Sequence, residues 1–210
     1  MARRTWPVTS LVLAALAASL AAQSAGPASP PHEGLAARAL QAAGAAPEPA
    51  HGTAIARAQA TLSGPGISGT AQFVEYRSGT AAWVQVTVTA RGLTPGLHGV
   101  HLHAVGTCEP DFAAAGGHFD PGPAGNTDPD ANHPFHMGDL PNLDVGASGE
   151  GTFTAATTRV TLSDGPLTVF DADGTAMIIH ANPDQGITGA PKSGLSGGPR
   201  VACGVLKKQP

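Results

Sequence analysis

The sequence predicts an all-β domain, an antiparallel Greek-key sandwich or flattened barrel that carries two long functional loops. Three observations lead there. Val84, Val86, Val88 and Ala90 alternate with Gln85, Thr87, Thr89 and Arg91, the two-residue period of a strand with one wet face. Turn formers recur at short intervals, as in Ser63-Gly64-Pro65-Gly66, Thr94-Pro95-Gly96 and Ser163-Asp164-Gly165-Pro166. No long stretch carries the 3.6-residue period of an amphipathic helix, and short strands with frequent turns belong to sandwiches and barrels.

In chain order, strands are expected over residues 53–62, 67–77, 82–91, 151–162, 176–181 and 201–206, with Ser78-Gly79 and Asp173-Gly174 as further turns. Two stretches break this rhythm. Residues 107–143 are polar and rich in Gly, Pro and Asp, and residues 182–199 are similar. Loops of such length in a small domain are usually functional or disordered.

The two ends of the chain differ from its middle. Residues 1–25 have Arg3 and Arg4, then an apolar run, then small residues at Ala21, Ala22, Ser24 and Ala25. That is the layout of a secretory signal peptide, and the apolar run is short of the roughly 20 residues of a spanning helix. Export is therefore expected, to the periplasm, the cell envelope or the medium, with no membrane span left after signal removal. Residues 26–51 are rich in Ala, Pro and Gly and read as a disordered linker, in which His32 and His51 are solvated. Residues 52–210 then form one domain. Net charge is −4 with no basic stripe, which argues against a nucleic-acid partner. Two cysteines in an exported chain suggest one disulfide, although their number alone does not force it.

Apart from His32 and His51, the nine histidines lie between His98 and His180. His101 and His103 sit two apart on a predicted strand, so both rings face one side and form a ready two-nitrogen claw. His118, His133, His136, Asp139 and His180 offer further nitrogen and oxygen donors. Imidazole with carboxylate and no thiolate suits copper or zinc.

In these stretches the chain resembles the copper–zinc superoxide dismutase family, in its bacterial exported form. The carrying residues are Gly96-Leu97-His98-Gly99-Val100-His101-Leu102-His103, Gly116-Gly117-His118-Phe119-Asp120-Pro121 and His136-Met137-Gly138-Asp139-Leu140-Pro141. Ile179-His180-Ala181 and Gly198-Pro199-Arg200-Val201-Ala202-Cys203-Gly204-Val205 complete the set. The resemblance implies dismutation of superoxide to dioxygen and hydrogen peroxide, with copper cycling between two oxidation states and zinc in a structural role. It implies copper on His101, His103, His118 and His180, and zinc on His118, His133, His136 and Asp139, with His118 as the bridge. His118 would also supply a proton. Arg200 would hold the anion, Asp184 would link a copper-ligand histidine to a zinc-ligand histidine, and His98 would tie loops together. Cys203 would pair with Cys108, and Lys192 falls where the family can place anion-guiding charge.

One spacing departs from the family. Relatives carry a histidine several residues after the position of His118, whereas residues 120–132 contain none. His133, three residues before His136, is the candidate; the competing expectation is a weakened or absent zinc site. A copper-binding or delivery module on the same fold is the alternative function, and a structural domain with zinc alone is a third. Relatives occur as monomers and dimers, so a homodimer is compatible with the sequence.

Overall fold

A computed structural model describes residues 52–121 and 128–210. The expected signal peptide and linker, with His32 and His51, lie outside the described residues. Three long strands open the domain as a meander: β1 (Thr53–Gly64), β2 (Ile67–Ser78) and β3 (Ala81–Arg91). The first hairpin closes at Gly64↔Ile67. Pro65 presets the first turn dihedral, and Gly66, at φ 72°, takes the left-handed second position that side chains resist.

The alternation read from residues 82–91 holds in space. Val84, Val86 and Val88 are fully buried and Ala90 nearly so. Antiparallel register sets Val86 against Phe73 and Val88 against Ala71, and on the other side against Ala155 and Phe153 of β7 (Glu150–Thr157). Burying such side chains contributes roughly 1.5–3 kcal/mol each.

The remaining strands are short: β4 (Gly96–His98), β5 (Val100–His103), β6 (Leu143–Val145), β8 (Ala176–His180), β9 (Arg200–Val205) and β10 (Lys207–Gln209). The sheet runs β4-β6-β7-β3-β2-β1-β9-β8-β5, with β10 added to β1. Consecutive strands β4 and β5 thus lie at opposite ends of the order, and the chain crosses between them at Gly99. This produces a nearly closed antiparallel barrel. At the crossing, Gly99 N–H donates to Asn182 O, and Gly99 O accepts from His180 N–H, both at 2.9 Å.

His98 and His101 lie on separate strands, parted at Gly99. One expectation changes here. The strand expected over 151–162 stops at Thr157. Beyond it, Leu162 N–H and Ser163 N–H donate to the buried Glu75 carboxylate at 2.7 and 2.6 Å. A side chain satisfies donors that a strand ladder would otherwise satisfy. β4, β6 and β10, three residues each, are too short to display a period.

β5 and β8 are buried throughout. Val100, Leu102, Met177 and Ile179 join the main core, while Ala176, Ile178 and Cys203 pack in a second cluster with Cys108 and Phe112. Cys108 and Cys203 form a disulfide with Cα atoms 5.9 Å apart. Among the described residues, no helix is long and apolar enough to cross a membrane.

Candidate metal centre

The pleat of β5 positions the first two donors. Leu102 faces the main core, so its neighbours His101 and His103 face the opposite side, both fully buried. Their cross-strand partners on β8 are Ile178 and Ala176, which keep the same side, and His180 ends that strand. The first long loop then folds back on β5 through isolated bridges, His103 to His118 and His101 to Asp139. Phe119 N–H donates to Leu102 O (2.8 Å), and Leu102 N–H donates to Gly138 O (2.9 Å). Only glycine fits at 138, because a Cβ there would lie 2.4 Å from Leu102 O.

Two groups of four donors result. His101, His103, His118 and His180 form one; His118, His133, His136 and Asp139 form the other. Within each group one donor atom per residue lies within 4.8 Å of the rest. His118 belongs to both. Every residue of both groups is buried.

Whether these residues suit metal ions is tested by their hydrogen bonds. In the first group one nitrogen of each ring has a protein partner. His101 Nε2 lies 2.8 Å from Asp184 Oδ2, and His103 Nδ1 lies 3.0 Å from Gly116 O. His118 Nδ1 lies 2.7 Å from Asp139 Oδ1, and His180 Nδ1 lies 2.9 Å from Gly198 O. The other nitrogens, His101 Nδ1, His103 Nε2, His118 Nε2 and His180 Nε2, are buried with no hydrogen-bond partner among the described residues. Leaving buried polar atoms unpaired is costly, and a cation that accepts four lone pairs removes that cost. Partners on the far nitrogen fix ring orientation and tautomer, as they do around bound metals.

In the second group His133 behaves alike, whereas both His136 nitrogens are buried with no hydrogen-bond partner among the described residues. His133 Nε2 lies 2.6 Å from Asp184 Oδ1, leaving His133 Nδ1 unpaired beside His136 Nδ1. Those two nitrogens lie 3.3 and 3.4 Å from Asp139 Oδ2. Three imidazoles thus converge on one carboxylate, the closed four-donor set that structural zinc takes. The compressed spacing does not keep His133 from this cluster. Thr188 Oγ1 donates to His133 O at 2.5 Å, and Arg159 Nη1 donates to Pro134 O and to His136 O, both at 3.1 Å.

Electrostatics separate the groups. Burial, reinforced by neighbouring histidines, pushes His101 down to about 4 and His180 down to about 3. Their lone pairs are therefore free at neutral pH. For His133 burial also favours the neutral ring, but Asp139 and Asp184 outweigh it and push the ring up to about 9. Burial alone would push the Asp139 carboxyl up, yet hydrogen bonds from His118, His133 and His136 hold it well below the usual carboxylate range.

Arg200 begins β9 beside the first group. Its Nη1 donates to Phe112 O at 2.6 Å and its Nη2 to Gly116 O, the carbonyl that also faces His103 Nδ1. Phe112 and Gly116 frame a short 3-10 turn that follows Cys108, so the disulfide ties Arg200's acceptors to Arg200's own strand. A cavity of about 240 Å³ opens here, lined among others by Asp130, His180, Lys192 and Arg200. His98 stands apart from both groups: its Nδ1 lies 2.7 Å from His180 O and its Nε2 2.8 Å from Thr94 O.

Several supporting residues carried no sequence signal. Asn142 exchanges two hydrogen bonds with the Asp184 backbone, at 2.8 and 2.9 Å. Arg159 falls within the strand expected over 151–162 and Asp130 within the polar first loop, and in either place a lone charge reads as solvated. Only their partners, distant in sequence, mark them out.

Known proteins with this pattern are similar over most of the domain. The family described as Copper/zinc superoxide dismutase (SODC) matches residues 67–206. A Cu-Zn superoxide dismutase of Brassica juncea is 38% identical over 151 residues, 70% of this chain and 93% of the relative. That of Caulobacter vibrioides is 41% identical over 130 residues, 59% of this chain and 71% of the relative. Among solved structures, a double mutant of a SOD-like protein from Bacillus subtilis superposes with a TM-score of 0.53 at 31% identity, covering 70% of this chain and 95% of that one. The clock protein EA4 gives 0.57 at 29%, covering 73% and 95%.

Proposed function

The chain belongs to the copper/zinc superoxide dismutase family, and from that premise we propose a division of labour among its residues. His101, His103, His118 and His180 hold copper; His118, His133, His136 and Asp139 hold zinc. When bound, copper supplies the one-electron redox change by which one superoxide leaves as dioxygen and another as hydrogen peroxide.

The chain's own residues do the rest. Arg200 binds the anion. Its guanidinium is fixed by two carbonyls, is half-buried beside the cavity, and offers remaining N–H donors in a rigid fork. Burial pushes the Arg200 guanidinium below its ordinary pKa while Asp111 opposes the change, and a guanidinium keeps its charge in either case. His118 Nε2 carries a proton for the reduced product; among the described residues it has no hydrogen-bond partner, and water supplies the second. His118, His133 and His136 around Asp139 stiffen the same wall of the site, since zinc has no accessible redox change. Asp184 joins the halves by accepting from His101 and His133 on its two oxygens. Lys192 guides the anion toward Arg200.

The observation that carries this reading is the set of four buried, unpartnered ring nitrogens facing one centre. A delivery module would need copper donors but no arginine anchored beside them. The disulfide fits an oxidising compartment, so we place the mature domain, residues 52–210, outside the cytoplasm as an exported bacterial-type member. The leader at 1–25 and the linker at 26–51 belong to the same proposal.

The test is a dismutation assay on protein reconstituted with both metals. Activity is expected, and His180→Ala is expected to abolish it while folding and zinc content persist. Reconstituted protein without catalytic dismutation sinks the reading.

A further inference from the structure

The second long loop, residues 181–199, contains no strand, yet it carries Lys192 and presents Gly198 O to His180. One residue of the first loop holds much of it. Asp130, only 2% exposed, accepts from Gly194 N–H on Oδ2 at 2.8 Å and from Ser196 N–H on Oδ1 at 2.9 Å. The hydroxyls of Ser193 and Ser196 also face its carboxylate, and its backbone carbonyl accepts from Gly189 N–H at 2.8 Å. All these partners belong to the second loop. They flank Lys192, which adopts φ 62°, a conformation that a lysine visits rarely and that needs its surroundings to hold it.

A carboxylate beside an anion's route is at first sight misplaced. Asp130, Lys192 and Arg200 line the same cavity, and a bare negative charge would repel superoxide. Here both oxygens are covered by donors. The carboxylate's charge is spent on the turn at 193–196, and the open charges on the cavity are those of Lys192 and Arg200.

We propose that Asp130 is a positioning residue for anion delivery: it clamps the turn at 193–196 and thereby keeps the Lys192 ammonium at the mouth of the cavity. This rests on the reading of Arg200 and Lys192 as the anion's path. Steering by fixed charge raises on-rates and fades with salt. A clamp therefore makes a different forecast from a simple charge.

The test measures kcat/KM against ionic strength for copper- and zinc-loaded wild type, Asp130→Asn, Asp130→Glu, Lys192→Gln and the Asp130→Asn/Lys192→Gln double variant. Both Asp130 variants are expected to lose kcat/KM several-fold and to show a flatter salt dependence. Adding Lys192→Gln to Asp130→Asn is expected to cost nothing more. A rise in Asp130→Asn with no change in Asp130→Glu overturns the clamp in favour of simple repulsion. Losses at 130 and 192 that multiply independently overturn it too, as does wild-type behaviour in both Asp130 variants. Amide exchange supplies a readout without turnover: Gly194 and Ser196 N–H are expected to be protected in the wild type, and fast exchange there overturns the clamp even if the variants fail to fold. Inactive loaded wild type would instead defeat the dismutase reading itself.

Discussion

Asp184 shows how much one side chain settles. Its two oxygens accept from rings in different donor groups, and Asn142 fixes its backbone from both sides. Asp184→Asn replaces one acceptor oxygen with a donor and turns one ring away. Outer partners of this kind typically matter by roughly 10–100-fold in metal affinity, so zinc binding, measured by chelator competition, is expected to weaken by about that factor. The metal-free protein should also show a distinctive pH profile. His101 and His180, at about 4 and about 3 in the fold, protonate near 6.5 once unfolded. As pH falls below 6.5 the unfolded chain takes up protons that the folded chain refuses, and stability is lost. The depressed carboxylates of Asp139 and Asp184 add a further loss in stronger acid. His133 has the opposite sign: raised to about 9, it contributes stability in full below 6.5 and loses it as pH rises through 9. The thermal midpoint of metal-free protein is therefore expected to peak near pH 6.5 and fall on both sides. A midpoint rising steadily to pH 9 would contradict the placement of His133 between two carboxylates. At this scale the donors were legible because donor chemistry is local, whereas Asp130, Arg159 and Asn142 were not, because their partners are 23 to 66 residues away.

The element that organises the centre is β5, four residues long. Its pleat sends Val100 and Leu102 into the core and His101 and His103 into the centre, and the loop segment at Gly138 lies directly on its backbone. Gly138→Ala would drive a methyl group into Leu102 O at 2.4 Å. Backbone cannot step aside as a flexible side chain can, so an overpacking cost of about 1–3 kcal/mol is expected. A lower urea midpoint in the metal-free variant checks it. The long strands were readable from sequence because eight or more alternating residues show their period. The edge strands β4, β6 and β10 were not, and the end of β7 was misplaced because Glu75, from another strand, captures the donors of Leu162 and Ser163.

For the whole molecule, the nearly closed barrel brings distant segments to one end. β5, β8 and β9 deliver His101, His103, His180 and Arg200, and the two loops close over them under the Cys108–Cys203 link. The sequence pattern implied an antiparallel sandwich, but not that β4 and β5 lie at opposite ends of the strand order, since a single glycine makes that crossing. The central claim is that two ions share His118, with His133 completing the second site despite its compressed spacing. Anomalous diffraction at the copper and zinc edges, from crystals of the doubly loaded protein, tests it most directly. The expected result is copper held by His101, His103, His118 and His180, with zinc held by His118, His133, His136 and Asp139. A single ion per chain, or zinc bound without His133, would contradict it.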